Sequence, residues 1–187
     1  MKKILFAIVT ILCLGVQVNA QNFQVFYGRD NEVRLIGEQQ RFTDKVFDYA
    51  YVEAGTKGAY VQLIHEQTLW KSLALHLEGR TTFNEVVGIA GLGWTFGFNT
   101  GSIGVQALYR HDATGPNWQA SGVYSFDWGW CDLYGYLDFW GQNSPNLYSE
   151  TRFYIKVFEH LRIGGIADIS YFGQWGIAPY LGVKYTF

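Results

Sequence analysis

Cysteine is nearly absent, with only Cys13 and Cys131 in 187 residues. Cys13 lies inside an apolar leader without small residues before it, which argues against a lipid attachment site. Cys131 is then the single thiol of the exported chain, so no internal disulfide can form even where the compartment permits one. A basic surplus is also missing. Lys and Arg number 14 against 16 Asp and Glu, for a net charge of −2 that becomes −4 once Lys2 and Lys3 are removed with the leader. A nucleic-acid partner would need a basic face, so that class is excluded. After residue 20 no apolar run approaches the ~20 residues of a membrane helix. Nor does any stretch sustain the i, i+3, i+4, i+7 spacing of an amphipathic helix. Metal-ligating patterns are missing too: there is no His-x-His and no clustered carboxylate motif.

The chain begins with a basic pair, Lys2 and Lys3, an apolar run from Ile4 to Gly15, and Val18-Asn19-Ala20 before Gln21. This is the pattern of a secretory signal, expected to cover residues 1–20 and to leave 21–187 as one domain. The apolar run is too short for a retained span, and no stop-transfer charges follow it. Hydrophobic residues make up 49% of the chain and aromatics 18%, with 22 glycines. A sequence this aromatic without helical spans can enter a bilayer as a closed sheet.

Period-two alternation supports that reading. At the C-terminus Ile177, Pro179, Leu181, Val183, Tyr185 and Phe187 share one parity, and Ala178, Tyr180, Gly182, Lys184 and Thr186 the other. One face is apolar and ends in two aromatics; the other is small or polar. A strand closing on a terminal aromatic, here Phe187, is the usual last strand of a bacterial outer-membrane barrel and the segment its barrel-assembly machinery would engage. Twelve alternating spans are predicted: 23–28, 33–42, 46–54, 59–70, 73–83, 86–98, 102–113, 117–128, 133–142, 147–158, 162–173 and 175–187. Asn, Gly, Pro and Asp mark the breaks between them. The fold expected is all-β, a transmembrane antiparallel up-and-down barrel of twelve strands, with ten as the smaller count and short turns on both sides. Counting back from a periplasmic C-terminus, the outer loops at 55–58, 84–85, 113–117 and 143–146 are all short. Function must therefore sit in the lumen or on the wall.

Faces are legible in the second half. Tyr134, Tyr136, Asp138 and Trp140 oppose Leu133, Leu137 and Phe139, while Glu150, Arg152, Tyr154 and Lys156 oppose Phe153, Ile155 and Val157. Asp168 opposes Ile163, Ala167 and Ile169, and His76, Glu78 and Arg80 oppose Leu73, Leu75 and Leu77. A charge facing lipid at mid-depth costs about 2–4 kcal/mol, so the charged parity must face the lumen. Spans 33–42, 46–54 and 59–70 carry polar residues at both parities and leave their faces open. Asp48 and Glu53 cannot both point inward from one regular strand; either one lies beyond the hydrocarbon zone or a bulge intervenes.

Several segments also resemble a known group. They are the signal end Asn19-Ala20-Gln21, the tyrosine-rich strand at 46–53, Leu-Tyr-Gly-Tyr-Leu-Asp-Phe at 133–139, Tyr-Ile-Lys-Val-Phe at 154–158, and the close at 180–187. Together they resemble a family of small outer-membrane barrels of unassigned function related to the nucleoside-specific channel-forming porins. The resemblance covers most of the mature chain in pattern. It implies a monomeric twelve-stranded barrel whose lumen binds nucleosides through aromatic and ionisable side chains. This chain departs from those channels in its shorter length and its outer loops trimmed to turns.

The candidate solute-binding set is the lumen face of strands nine to eleven: Tyr134, Tyr136, Asp138, Trp140, Glu150, Arg152, Tyr154, Lys156 and Asp168. Aromatic rings stack on bases for about 1–3 kcal/mol each, and carboxylates with Arg orient sugar hydroxyls and base edges. The same residues also fit a simpler role, an ion-pair network of Glu150, Arg152, Lys156 and Asp168 that plugs the barrel. In strand six Gly91, Gly93, Thr95 and Gly97 oppose Leu92, Trp94, Phe96 and Phe98. Those glycines either thin the lumen wall or let the sheet bend. Trp70, Trp94, Trp118, Trp128, Trp130 and Trp175 fit interface girdles, and Trp140 falls inside by parity.

An outer-membrane lipid-modifying enzyme is the rival class, for which His111-Asp112 with Ser121 or Ser125 is the best available grouping. No esterase signature surrounds either serine, so no catalytic residue is assigned. No cofactor is implied either. The sequence reading is a passive channel for small polar solutes, nucleosides favoured, in an outer membrane; the alternative is a non-conducting structural barrel.

Overall fold

The computed structural model describes residues 21–28, 31–43, 45–56, 58–82, 85–141 and 145–187. The leader expected at 1–20 lies outside these residues, as do Phe83 and Gln142, expected as strand ends.

Twelve strands follow one another: β1 Asn22–Gly28, β2 Val33–Phe42, β3 Val46–Gly55, β4 Gly58–Trp70, β5 Leu73–Thr82 and β6 Val86–Phe98. The second half adds β7 Gly101–Asp112, β8 Gly115–Asp127, β9 Cys131–Trp140, β10 Asn146–Lys156, β11 Leu161–Tyr171 and β12 Trp175–Thr186. Each pairs antiparallel with the next, and β12 pairs back onto β1, so the sheet closes with no free edge. Closure is what lets a sheet satisfy its backbone groups in a lipid environment. The count is twelve, as the alternation predicts. The rim carrying Asn22 and Thr186 is called here the terminal rim, and the opposite one the far rim.

Register fixes which residues face inward. Asn22 pairs Glu38, Glu38 pairs Tyr51, Tyr51 pairs Gln62, and Gln62 pairs Arg80, all on the lumen side. The usual order of a soluble core is inverted. Glu38 and Asp138 are each 2% exposed and Arg152 4%, whereas Leu181 is 75% exposed and Ile177 70%. No soluble domain gains by burying its charges and exposing its aliphatics, so the solvent of the outer wall is apolar. Trp70, Trp94, Trp118, Trp128, Trp130 and Trp175 are all exposed. They stand toward strand ends or, for Trp128 and Trp130, in the β8–β9 turn.

Turn and packing constraints explain two glycines. Gly115 opens β8 with φ +102° at the β7–β8 turn, a conformation that L residues rarely adopt. Gly91 faces the lumen, where an added Cβ would lie 2.2 Å from the Ala107 carbonyl oxygen and 2.8 Å from the Leu108 Cα. Gly91 therefore lets β6 and β7 bend tightly, whereas a Cβ at Gly97, on the same face, meets nothing. Close approach of the β7 backbone requires glycine at Gly91, and open space lies beside Gly97. The single irregularity in register among the described pairs lies between Thr68 and Trp70, where β4 shifts against β5.

The faces of the first half follow from the same register. Glu53 points inward beside Arg34, while Asp48 points outward and pairs with His65. No bulge interrupts β3. Asp48 is close to the start of its strand at the terminal rim, where a charge costs little.

Candidate functional site: the barrel lumen

The lumen is crossed by two connected sets of polar side chains. The first joins β2, β3, β10 and β11. Arg34 donates from Nη2 to Asp168 Oδ2 at 2.6 Å, its Nε lies 3.3 Å from Glu53, and its Nη1 lies 3.8 Å from Glu150. Arg152 donates to Glu38 across the barrel and to Glu150 of its own strand, the latter at 2.5 Å. Tyrosines add further donors, while the buried Arg34 Nε and Asp168 Oδ1 make no hydrogen bond. Tyr49 donates to Glu38 at 2.9 Å, Tyr51 to Glu53 at 2.6 Å, and Tyr154 to Gln24. The Arg34 guanidinium lies 4.0 Å from the centre of the Tyr180 ring, and Arg152 is flanked by Tyr51 and Tyr134.

The second set joins β4, β5, β8 and β9. His76 lies between Glu66 at 2.8 Å and Glu78 at 3.1 Å, and Gln62 donates to Glu78 at 2.5 Å. Arg80 donates to Glu78 and, at 2.8 Å, to Asp138. Ser121 donates to the other Asp138 oxygen at 2.7 Å and accepts from Gln119 at 2.9 Å. Tyr60 and Tyr136 stand between the sets, each within the fields of Glu150 and Arg80. Below this layer the lumen opens toward the terminal rim in a hollow of about 310 Å³ lined by Phe47, Glu66, Thr68, Ala74 and Thr95.

These groups cost several kcal/mol each to desolvate, and only mutual pairing offsets that. An apolar cluster of Phe26, Ile36, Tyr51, Tyr154, Ile166 and Tyr180 fills the β10–β3 side of the lumen and dries the pairs further. The arrangement can hold neutral polar groups by swapping one hydrogen bond for another. Carboxylates outnumber basic groups in the two sets: Glu38, Glu53, Glu66, Glu78, Asp138, Glu150 and Asp168 face Arg34, Arg80, Arg152 and His76, with Lys184 donating to Tyr134 beside them.

Eight of the nine candidate residues point into the interior proper. Asp138, Glu150, Arg152, Tyr154 and Asp168 are buried in it, with Tyr134 and Tyr136 beside them. Trp140 stands toward the far rim with the Arg110 guanidinium 4.8 Å from its ring centre. Lys156 stands apart from the others. It keeps the inward parity opposite Arg162, but it ends β10 at the terminal rim and is exposed, so it does not join the pairs of Glu150, Arg152 and Asp168. Alternation reports a face and not a depth. Arg34, Glu38, Glu53 and Gln24 are the members the candidate set lacks. The signal that finds them is closure, which brings β1 and β2 beside β12 and β11. The His111, Ser121 and Ser125 grouping does not assemble: in β7 and β8 His111 takes the outward parity while Ser121 and Ser125 point inward, and Ser121 is held by Asp138.

The fold and this interior define a class: a closed antiparallel barrel with an apolar outside and an ion-paired inside. Solved structures share its fold over most of the chain. A KdgM porin in complex with disordered oligogalacturonate superposes with a TM-score of 0.63 at 9% identity, covering 89% of this chain and 98% of that one. A NanC porin gives a TM-score of 0.62 at 8% identity, covering 89% and 99%. Both are porins, not enzymes. The likeness is one of fold. No family model matches the sequence, and no curated protein matches it.

Proposed function

We propose that this protein is an outer-membrane channel of porin type that lets small polar solutes pass down their gradient, through an interior narrowed at the Arg34–Arg152 layer. The observation that carries the reading is the inverted wall, with Leu181 and Ile177 outside and Glu38, Asp138 and Arg152 inside. The fold shared with the KdgM and NanC porins supports it. The terminal rim is periplasmic on this reading, the leader is cleaved, and the chain acts as a monomer assembled through the strand ending at Phe187.

Nucleoside-like solutes are the favoured class. They are flat, polar and uncharged, and Tyr51, Tyr60, Tyr134, Tyr136 and Tyr154 offer ring faces beside carboxylates that accept ribose hydroxyls. An oligogalacturonate, present in one KdgM complex, is a chain of carboxylates, and the acidic surplus here disfavours it. The near-complete burial of Glu38, Asp138 and Arg152 favours a second reading, a closed barrel that does not conduct.

Recording from the purified chain in planar bilayers tests both. Conductance that falls when a nucleoside is added supports the full proposal. Conductance indifferent to nucleosides keeps the channel and removes that preference. A silent bilayer containing folded barrel leaves the structural reading.

A further inference from the structure

The outer wall carries a groove of about 780 Å³ that the lumen reading leaves unused. Two neighbouring outward rows build it, running across β2 to β7. Along its floor lie Ala50, Gly79, Gly88 and Ala90, with Gly79 and Gly88 directly paired, and Leu63 and Leu77 rise beside them. Neither glycine is demanded by the chain itself. An added Cβ at Gly79 or Gly88 meets nothing within 4 Å, and neither residue has a positive φ. What the two missing side chains leave is space on a wall that faces lipid.

At the terminal rim the groove ends in charges. Arg41 pairs in register with Asp48, and Asp48 with His65, whose Nδ1 lies 2.7 Å from the Asp48 carboxylate. Arg41 is exposed, and Asp48 and His65 have 42% and 44% of their side chains exposed. A cation and an anion side by side at the mouth of an apolar trough complement a headgroup carrying both signs.

We propose that this groove is a binding site for one zwitterionic, amine-bearing phospholipid. Its phosphate lies against the Arg41 guanidinium, its ammonium against the free acceptor positions of Asp48, and an acyl chain on the Ala50–Gly79–Gly88 floor. The volume falls within the range of about 300–1,000 Å³ typical of small-molecule sites. A second copy of the chain fits less well, because two concave patches on convex barrels leave the troughs unfilled. The site rests on the membrane placement proposed above but not on conduction.

Native mass spectrometry of the full chain, released from bilayers of equal phosphatidylethanolamine and phosphatidylglycerol, tests it. One phosphatidylethanolamine is expected to stay on each barrel. Gly88→Leu, which fills the floor where nothing clashes, is expected to abolish retention while the barrel keeps its folded mobility on an unheated gel. Asp48→Asn is expected to reduce the preference for the amine headgroup about tenfold, the loss of one charge-assisted contact. Retention unaffected by Gly88→Leu, equal retention of both lipids by the native chain, or a dimer in place of a lipid adduct overturns the proposal. A chain that inserts and conducts yet holds no lipid overturns this site alone; one that never inserts overturns the membrane placement with it.

Discussion

Arg152 is the residue on which most of the interior converges. It contacts Glu38 of β2 and Glu150 of β10, and all three are almost fully buried. Replacing it with Ala takes the ion-pair partner from Glu38 and leaves Glu150 with Arg34 3.8 Å away, and loss of one partner from a buried pair costs about 3–5 kcal/mol. Urea unfolding of the barrel in lipid vesicles is expected to show that loss for Arg152→Ala. Adding Glu38→Gln is expected to restore part of it, since one stranded charge is then removed. At Gly91 the obstacle is backbone. Gly91→Val would drive its Cβ into the Ala107 carbonyl and Leu108, so it is expected to destabilise the barrel by about 1–3 kcal/mol in the same assay. Gly97→Ala, which meets open space, is expected to be close to neutral.

Elements were more legible than sites. Every strand of β8 to β12 keeps its charges on one parity, as the proposed membrane placement requires of a wall whose outward side chains would sit in hydrocarbon. That asymmetry fails in β2 to β4. Arg41, Asp48 and His65 face outward near the terminal rim, where water and headgroups tolerate them, so polar residues occur at both parities. Partnership across the lumen was not legible at all. Arg34 lies 134 residues from Asp168 and Glu38 114 from Arg152, and no periodicity connects them. Only the β1–β12 closure does. Within one strand the hydrocarbon zone can be measured directly. Leu181→Arg, well inside β12, is expected to cost about 2–4 kcal/mol of unfolding free energy, and Tyr185→Arg, near the terminal rim, about 0–1. Equal costs for the two would remove the depth gradient on which the membrane placement stands.

For the whole molecule, the balance between filling and passage is decided by how firmly the two polar sets hold together. Twelve strands enclose more space than eight, which side chains fill, and less than sixteen, which leave an open channel. Here large side chains narrow that space: Phe26, Tyr154 and Ile36 are wholly buried beside the ion pairs. The carboxylate surplus gives the interior a negative field, so cations are expected to carry most of the current through any open state. The most direct measurement is planar-bilayer recording of the native chain beside Glu38→Ala/Arg152→Ala, which removes both partners of the central pair and leaves Glu150 with Arg34 3.8 Å away. A larger, cation-preferring conductance from the double variant than from the native chain is the predicted result. Identical traces, or silence from both inserted proteins, would contradict the claim that this layer is where a solute crosses.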